Sequence, residues 1–508
     1  MWPGWIGFWL SAFLTLPLPA RGQDDLAADR ATMAIAEGEA ALQEGRTADA
    51  IDELRRAQAL LGLEQIYSGG GESRPPAAFE AASARIHRGL AEAYLKEGRA
   101  YAAAVEADYG VNADHEDARL WTLLGLARYR LAEVDSAAAA LGRAAALGAD
   151  DADLHWGRAL VAVARNQVAM GIEEVRRARE RRADSRFALA LARWAELQGD
   201  HGGAAAALED FLRLAPGDPQ AEGTRNLARF HREVSRAPAG VVDPGVTRVQ
   251  IRFDLKPGDE IPYVPARLDG QPEAYVLFDT GAERNLLDRA YAESIGIAPI
   301  LPGGAVHGAW RSSPAGHAIV DSLELGTATV RRVPFAVTDF ANLQLRLQGE
   351  YYIAAIVNPA LLFRDFLVVL DYHTRRIELE RMGPASEPYG VRRTRLRKAT
   401  TPFHFAANGV WPVLPASIDG SRVLPFLVDT GASDVLIDRE TAAALRIDPL
   451  HLVVGAAGHS KESLRAILLD GKLSEPWEME LRGLLGYPFF RGMRVAFDYR
   501  NMTLTLEN

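Results

Sequence analysis

Two near-copies of one phrase stand in the C-terminal half of the chain, and a duplicated turn constrains folding more than any average over the sequence. The first reads Phe278-Asp279-Thr280-Gly281-Ala282-Glu283-Arg284-Asn285-Leu286-Leu287-Asp288-Arg289; the second reads Val428-Asp429-Thr430-Gly431-Ala432-Ser433-Asp434-Val435-Leu436-Ile437-Asp438-Arg439. One Asp-Thr-Gly is ordinary punctuation, since Asp bonds its own backbone and Gly accepts positive φ. Two copies in matched contexts point to chemistry, because an acid–base dyad needs two carboxylates that face each other. The match extends upstream. Tyr263 to Gly270 runs into Tyr275-Val276-Leu277-Phe278, and Leu414 to Gly420 runs into Phe426-Leu427-Val428. Both read as hairpins turning at Asp-Gly.

These residues resemble the retropepsin-like aspartic proteases, present as two tandem lobes over residues 248 to 508. The resemblance implies that Asp279 and Asp429 are catalytic and that Thr280 and Thr430 brace the two turns, with Gly281, Gly431 and Ser433 as supporting positions. It also implies a later apolar segment beside each turn: Ala355-Ile356-Val357-Asn358 in lobe one and Gly483-Leu484-Leu485-Gly486 in lobe two. Asn358 departs from the glycine of the pattern. Asn tolerates left-handed backbone, so the expectation is a turn kept in that conformation. Glu283 fills the slot of Ser433; the serine is expected to bond the catalytic carboxylate, and the glutamate to raise a nearby pKa.

Flaps are expected between the turn and the last hairpin of each lobe. The candidates are Gly303 to Trp310, with Gly308 and Trp310 as substrate contacts, and Val454 to His459, with Gly455 and Gly458 as hinge glycines. Two carboxyls about 3 Å apart share one proton and titrate as a coupled pair. The ionised partner would activate a water, and the protonated one would polarise the scissile carbonyl. That chemistry needs no metal and no cofactor. The lobes could pair within one chain or between two.

Other chemistries find little support. Cysteine is absent, which removes thiol nucleophiles, cysteine zinc sites and disulfides. His-Glu-x-x-His does not occur, Gly458-His459-Ser460-Lys461-Glu462 lacks the last glycine of a nucleophile elbow, and Gly471-Lys472 lacks the rest of a phosphate loop. A net charge of −10 speaks against a nucleic-acid partner.

The first half is rich in Ala, Leu, Arg and Glu, and is interrupted at regular steps. From Gly98 the steps to Glu133, Asn166 and Asp200 are 35, 33 and 34 residues, the tetratricopeptide period. Trp121, Leu124, Gly125, Ala127 and Tyr129 resemble the first helix of such a repeat, and Leu212, Leu214 and Pro216 its end. Helix pairs of this kind stack into a solenoid that commonly binds peptide segments, or serves as a spacer.

Residues 5 to 20 form an apolar run too short for a comfortable membrane span, followed by Ala20-Arg21-Gly22. An export signal over 1–22 fits, placing the protein in a bacterial periplasm or outside the cell; a retained anchor is the alternative, and membrane contact follows only from it. The fold class expected is multidomain α plus β. A tetratricopeptide domain (23–236) is followed by a linker (237–247), lobe one (248–383), a second linker (384–399) and lobe two (400–508). The function expected is an aspartic endopeptidase acting on peptides or proteins, its helical domain recruiting partners or substrate. The alternative is a binding scaffold with inactive lobes.

Overall fold

The computed structural model describes residues 23–62, 77–256, 259–297, 301–307, 312–341, 352–383, 398–420, 423–470 and 478–508. The expected export signal, Gly308, Trp310 and the interlobe stretch 384–397 lie outside these residues.

Helical hairpins fill the first half: Gln23–Gln43 with Thr47–Leu60, Ala77–Lys96 with Ala100–Ala113, Ala118–Arg130 with Val134–Ala146, Ala152–Ala164 with Val168–Arg181, and Ser185–Leu197 with His201–Leu214. Ala221–Val234 ends the series. One turn device recurs. Gly45, Gly98, Ala132, Asn166 and Gly199 all take φ between 60° and 76°. The N–H of the next residue then donates to the carbonyl five positions back, as in Arg99 to Tyr94 and Gln167 to Ala162, which satisfies an orphan carbonyl at the helix end. Packing repeats as well: a Cβ on Gly38 or Gly89 would meet Leu54 at 2.7 or 2.6 Å, and one on Gly125 or Gly157 would meet Leu141 at 2.5 or 2.9 Å. Even a buried hydrogen bond recurs, between His87 and Glu106 and between His155 and Glu174, each at 2.7 Å.

The chain divides at Leu123 into two compact units, and the second holds the later helices together with all the β structure among the described residues. Residues 237–247 therefore are not a free linker. Val241–Val242 is an edge strand paired with Val330 and Arg331, and Arg331 also reaches Asp243.

Each lobe is built on a mixed sheet, of nine strands in lobe one and eight in lobe two among the described residues. The hairpins expected from sequence are present: Asp259–Leu268 pairs with Ala274–Phe278, and Pro412–Ile418 with Leu424–Val428. Their turns have positive φ at both central residues, Asp269-Gly270 and Asp419-Gly420, as a primed turn requires. The strand leading into each Asp-Thr-Gly then gains a parallel neighbour, Ile353–Val357 in lobe one and Gly483–Leu485 in lobe two. A third sheet of six strands joins the lobes. Its order runs Lys398–Pro402, Thr503–Glu507, Arg494–Asp498, Phe366–Asp371, Arg376–Arg381 and Arg248–Arg252, all antiparallel. Val368 lies opposite Phe497, so the lobes pair within one chain. A continuous apolar core, including Phe278, Phe363, Phe403 and Phe497, runs beneath both.

Candidate active site

Each Asp-Thr-Gly turn is set by its own lobe's backbone. Asp279 N donates to Val357 O at 2.9 Å and Asp429 N to Leu485 O at 3.0 Å. Asp279 Oδ1 then accepts from Gly281 N at 2.7 Å and Ala282 N at 3.2 Å; Asp429 Oδ1 accepts from Gly431 N at 2.9 Å.

The two turns are locked together by their threonines. Thr280 Oγ1 donates to Val428 O at 2.7 Å and accepts from Thr430 N at 3.1 Å, while Thr430 Oγ1 donates to Phe278 O at 2.7 Å and accepts from Thr280 N at 3.1 Å. Both side chains are fully buried. The arrangement is a pseudo-twofold about the line between them. Glycine follows for a reason of contact, since neither Gly281 nor Gly431 has positive φ. A Cβ on Gly281 would stand 2.4 Å from Asp429 Cγ, and one on Gly431 would stand 2.4 Å from Asp279 Cγ. Each turn's glycine thus makes room for the other turn's carboxyl.

The carboxyls hydrogen-bond to each other. Each aspartate remains partly exposed and so reachable from solvent, yet protein crowds the carboxyl groups closely. Burial, then the charge of Asp279, holds Asp429 well above the usual carboxylate range. Burial also raises Asp279, opposed by the bond to Asp429 and by the N–H groups of Gly281, Ala282 and Gly431. One proton shared between two crowded carboxyls is the state such a pair favours.

Asn358 does not adopt the left-handed backbone expected of it; its φ is −90° and ψ 121°. Its role is played by the side chain. In lobe two, Gly486 passes so close to Asp434 O that a Cβ would lie 2.1 Å away, and the next N–H, of Tyr487, donates to Ala432 O at 2.9 Å. In lobe one the next residue is Pro359, which has no N–H. Asn358 Nδ2 supplies the missing donor, reaching Ala282 O at 2.6 Å and Thr280 O at 3.3 Å. Its Oδ1 caps Ala360 N at 2.7 Å, and its own N–H goes to Asn285 Oδ1 at 3.1 Å. Asn285 was not singled out from sequence; the signal that could have found it was the asparagine–proline pair where lobe two has Gly486-Tyr487.

Ser433 also departs from expectation, because its hydroxyl donates to Asp434 Oδ2 at 3.0 Å. The Glu283 carboxylate acts on its neighbour Arg284. Gly455 and Gly458 lie where a flap was expected, in the hairpin Leu452–Ala456 with His459–Leu464. Gly458 has φ +74° at the turn, whereas Gly455 gives room to Ser417 Oγ, which a Cβ would meet at 2.8 Å. His459 Nε2 to Leu506 O and Lys461 Nζ to Arg491 O tie this hairpin to neighbouring segments.

Two β lobes related by a pseudo-twofold, with an aspartate pair at the axis, define the aspartic-protease architecture. Residues 264–351 and 414–474, one segment in each lobe, match the family model described as aspartyl protease. No curated protein matches the chain in sequence. Solved structures similar to its helical part include a thermophilic tetratricopeptide protein of Thermus thermophilus (18% identity, 41% of this chain, 100% of that one, TM-score 0.29). PilF of Pseudomonas aeruginosa is another (19% identity, 42% of this chain, 90% of that one, TM-score 0.32).

Proposed function

We propose that the chain is an aspartic endopeptidase in which Asp279 and Asp429 share a proton and activate one water. The ionised member takes a proton from the water as it attacks the scissile carbonyl, and the protonated member donates to the carbonyl oxygen. The tetrahedral diol collapses when a proton passes to the leaving amine, which leaves two products and the dyad in its starting state. The observation that carries this reading is the pair of glycine contacts, each turn shaped around the other turn's carboxyl. Asn358, the departure from the pattern in lobe one, makes with its side chain a hydrogen bond that Pro359 cannot make.

The helical hairpins recruit a protein partner or substrate in this proposal, on the general habit of such arrays. Export through residues 1–22 belongs to it on sequence alone. A peptide-library digest of wild type and Asp429→Asn, side by side from about pH 3 to about pH 8, tests the enzyme reading. Cleavage by wild type that vanishes in the variant is the expected result. Equal cleavage by both, or none by wild type, would overturn it.

A further inference from the structure

Within the second compact unit, the helix Ser185–Leu197 turns Arg193, Trp194, Glu196 and Leu197 toward the lobes. Arg193, only 4% exposed, donates from Nη2 to Glu283 O at 2.7 Å and from Nη1 to Glu196 at 2.9 Å. Glu196 in turn receives Arg284 Nη1 at 3.0 and 3.1 Å on its two oxygens. Glu283 and Arg284 belong to the turn that begins at Asp279, just beyond the Ala282 N–H that holds the Asp279 carboxyl. The same helix is fixed to lobe two. Trp194 Nε1 donates to Ala407 O at 2.7 Å, and Gly409 leaves space for Leu197, whose Cδ1 a Cβ there would meet at 2.5 Å. Beside it, Arg364 of lobe one donates to Asn166 Oδ1 of an earlier helical turn at 2.8 Å and to Gly409 O of lobe two at 2.5 Å.

What lies behind the turn makes this grip matter. A cavity of about 270 Å³ is lined there by Arg284, Asn285 and Leu362 of lobe one and by Glu196, His201 and Phe230 of the helices. Solid packing does not by itself hold Arg284 in place on that side. In lobe two the corresponding residues, Ser433 and Asp434, bond each other instead.

We propose that Arg193 and Glu196 are positioning residues of the peptidase site, so that the last helical hairpin is a working part of the catalytic unit and not only a recruiting arm. The inference rests on the Asp279/Asp429 reading above. Arg193 holds the Glu283 carbonyl, Glu196 holds Arg284, and Asn358 holds the Ala282 carbonyl from the other side. Asn358 also holds the Thr280 carbonyl, so the Gly281 and Ala282 N–H groups that orient the Asp279 carboxyl lie between that grip and the one on Glu283. Glu196 is ionised despite its burial, because Arg284 and Arg193 outweigh the loss of solvent. His201, His231 and His317 face the same cluster, and burial lowers all three, His231 to about 3 and His317 to about 4. They are neutral near pH 7, so the charges in the grip are Glu196, Arg193 and Arg284. A partner that flexes this hairpin would be felt at Asp279.

The test uses the full chain as wild type, Arg193→Met, Arg193→Lys, Glu196→Gln and Asp429→Asn, assayed on one cleaved peptide across pH. Active sites are counted with a hydroxyethylene peptide, and folding is checked by thermal melting. Loosening the turn should lower kcat per active site about tenfold to a hundredfold in Arg193→Met while KM moves less than about threefold. The acid limb should also shift to higher pH, because the backbone N–H bonds that favour ionised Asp279 are weakened. Arg193→Lys should recover part of both effects. Wild-type kcat and an unmoved acid limb in Arg193→Met would overturn the proposal; if that variant does not fold, the same outcome in Glu196→Gln does so. Cleavage by wild type and not by Asp429→Asn keeps the dyad reading whichever way the helix variants fall. No cleavage by wild type ends both.

Discussion

The side chain of Asn358 and the carbonyl of Ala282 make, at 2.6 Å, the hydrogen bond that lobe two makes with backbone alone, between Tyr487 N and Ala432 O at 2.9 Å. The two halves of the site are therefore equivalent in bonding though not in residues. Each solution excludes the other's residue: a side chain cannot fit at Gly486, and glycine at 358 would leave a carbonyl without its donor.

Asn358→Ala is accordingly predicted to destabilise the protein by about 1–3 kcal/mol, the usual cost of leaving a buried polar group unpaired, and to lower peptide cleavage. Replacing Pro359 as well, in Asn358→Gly with Pro359→Tyr, should return part of the loss by restoring the backbone donor. Urea unfolding of both variants checks this, and equal midpoints for wild type and Asn358→Ala would count against it.

Thr280→Val and Thr430→Val each remove a buried hydroxyl that both donates and accepts. Each should cost about 1–3 kcal/mol, and the double variant should cost less than the sum, because the bonds form one network. Thr→Ser at either position keeps the network and should stay much closer to wild type in melting temperature.

Asp429 titrates well above its ordinary range in the folded protein, so the native state retains a proton that the unfolded chain releases near pH 4. Between that pH and the raised folded value the native state binds more protons, and stability falls as pH rises. Asp429→Asn removes the liability. It should melt higher than wild type at pH 7, and the difference should vanish below about pH 4. Melting curves at the two pH values decide it.

Ala132 holds φ +60° in the turn where Gly45, Gly98 and Gly199 occur in other hairpins. A left-handed residue with a Cβ costs about 1–2 kcal/mol, and the extra chain entropy of glycine returns about 0.5–1. Ala132→Gly should therefore stabilise the protein slightly, by less than about 1.5 kcal/mol. A lower denaturation midpoint in the variant would show that the strain argument fails there.

Local signals were readable in the sequence. Asp269-Gly270 and Asp419-Gly420 announce primed hairpin turns, the two Asp-Thr-Gly phrases announce their own duplication, and the helical step of about 34 residues follows from residues close in the chain. Relations across distance were not. Val368 opposite Phe497 settles that the lobes pair within one chain, and no nearby residue reports it. Arg193, Trp194 and Arg364 look like the surface residues of any helix or loop, and their bonds to Glu283, Ala407 and Asn166 cross between helices and lobes. Asn358 was visible as an irregularity, but the reason for it is a donor missing from Pro359 and a carbonyl 76 residues earlier. Ser433 differs for a local reason, since its hydroxyl donates to Asp434, the next residue, and not to Asp429.

The six-stranded sheet draws one strand from the start of lobe one, two from its end and three from lobe two. A nick in the peptide between the halves would leave them joined by the five-residue ladder that pairs Phe366–Asp371 with Arg494–Asp498. A cleaved molecule would therefore remain clasped, and any maturation cut made there would change the ends of the polypeptide without parting its two halves.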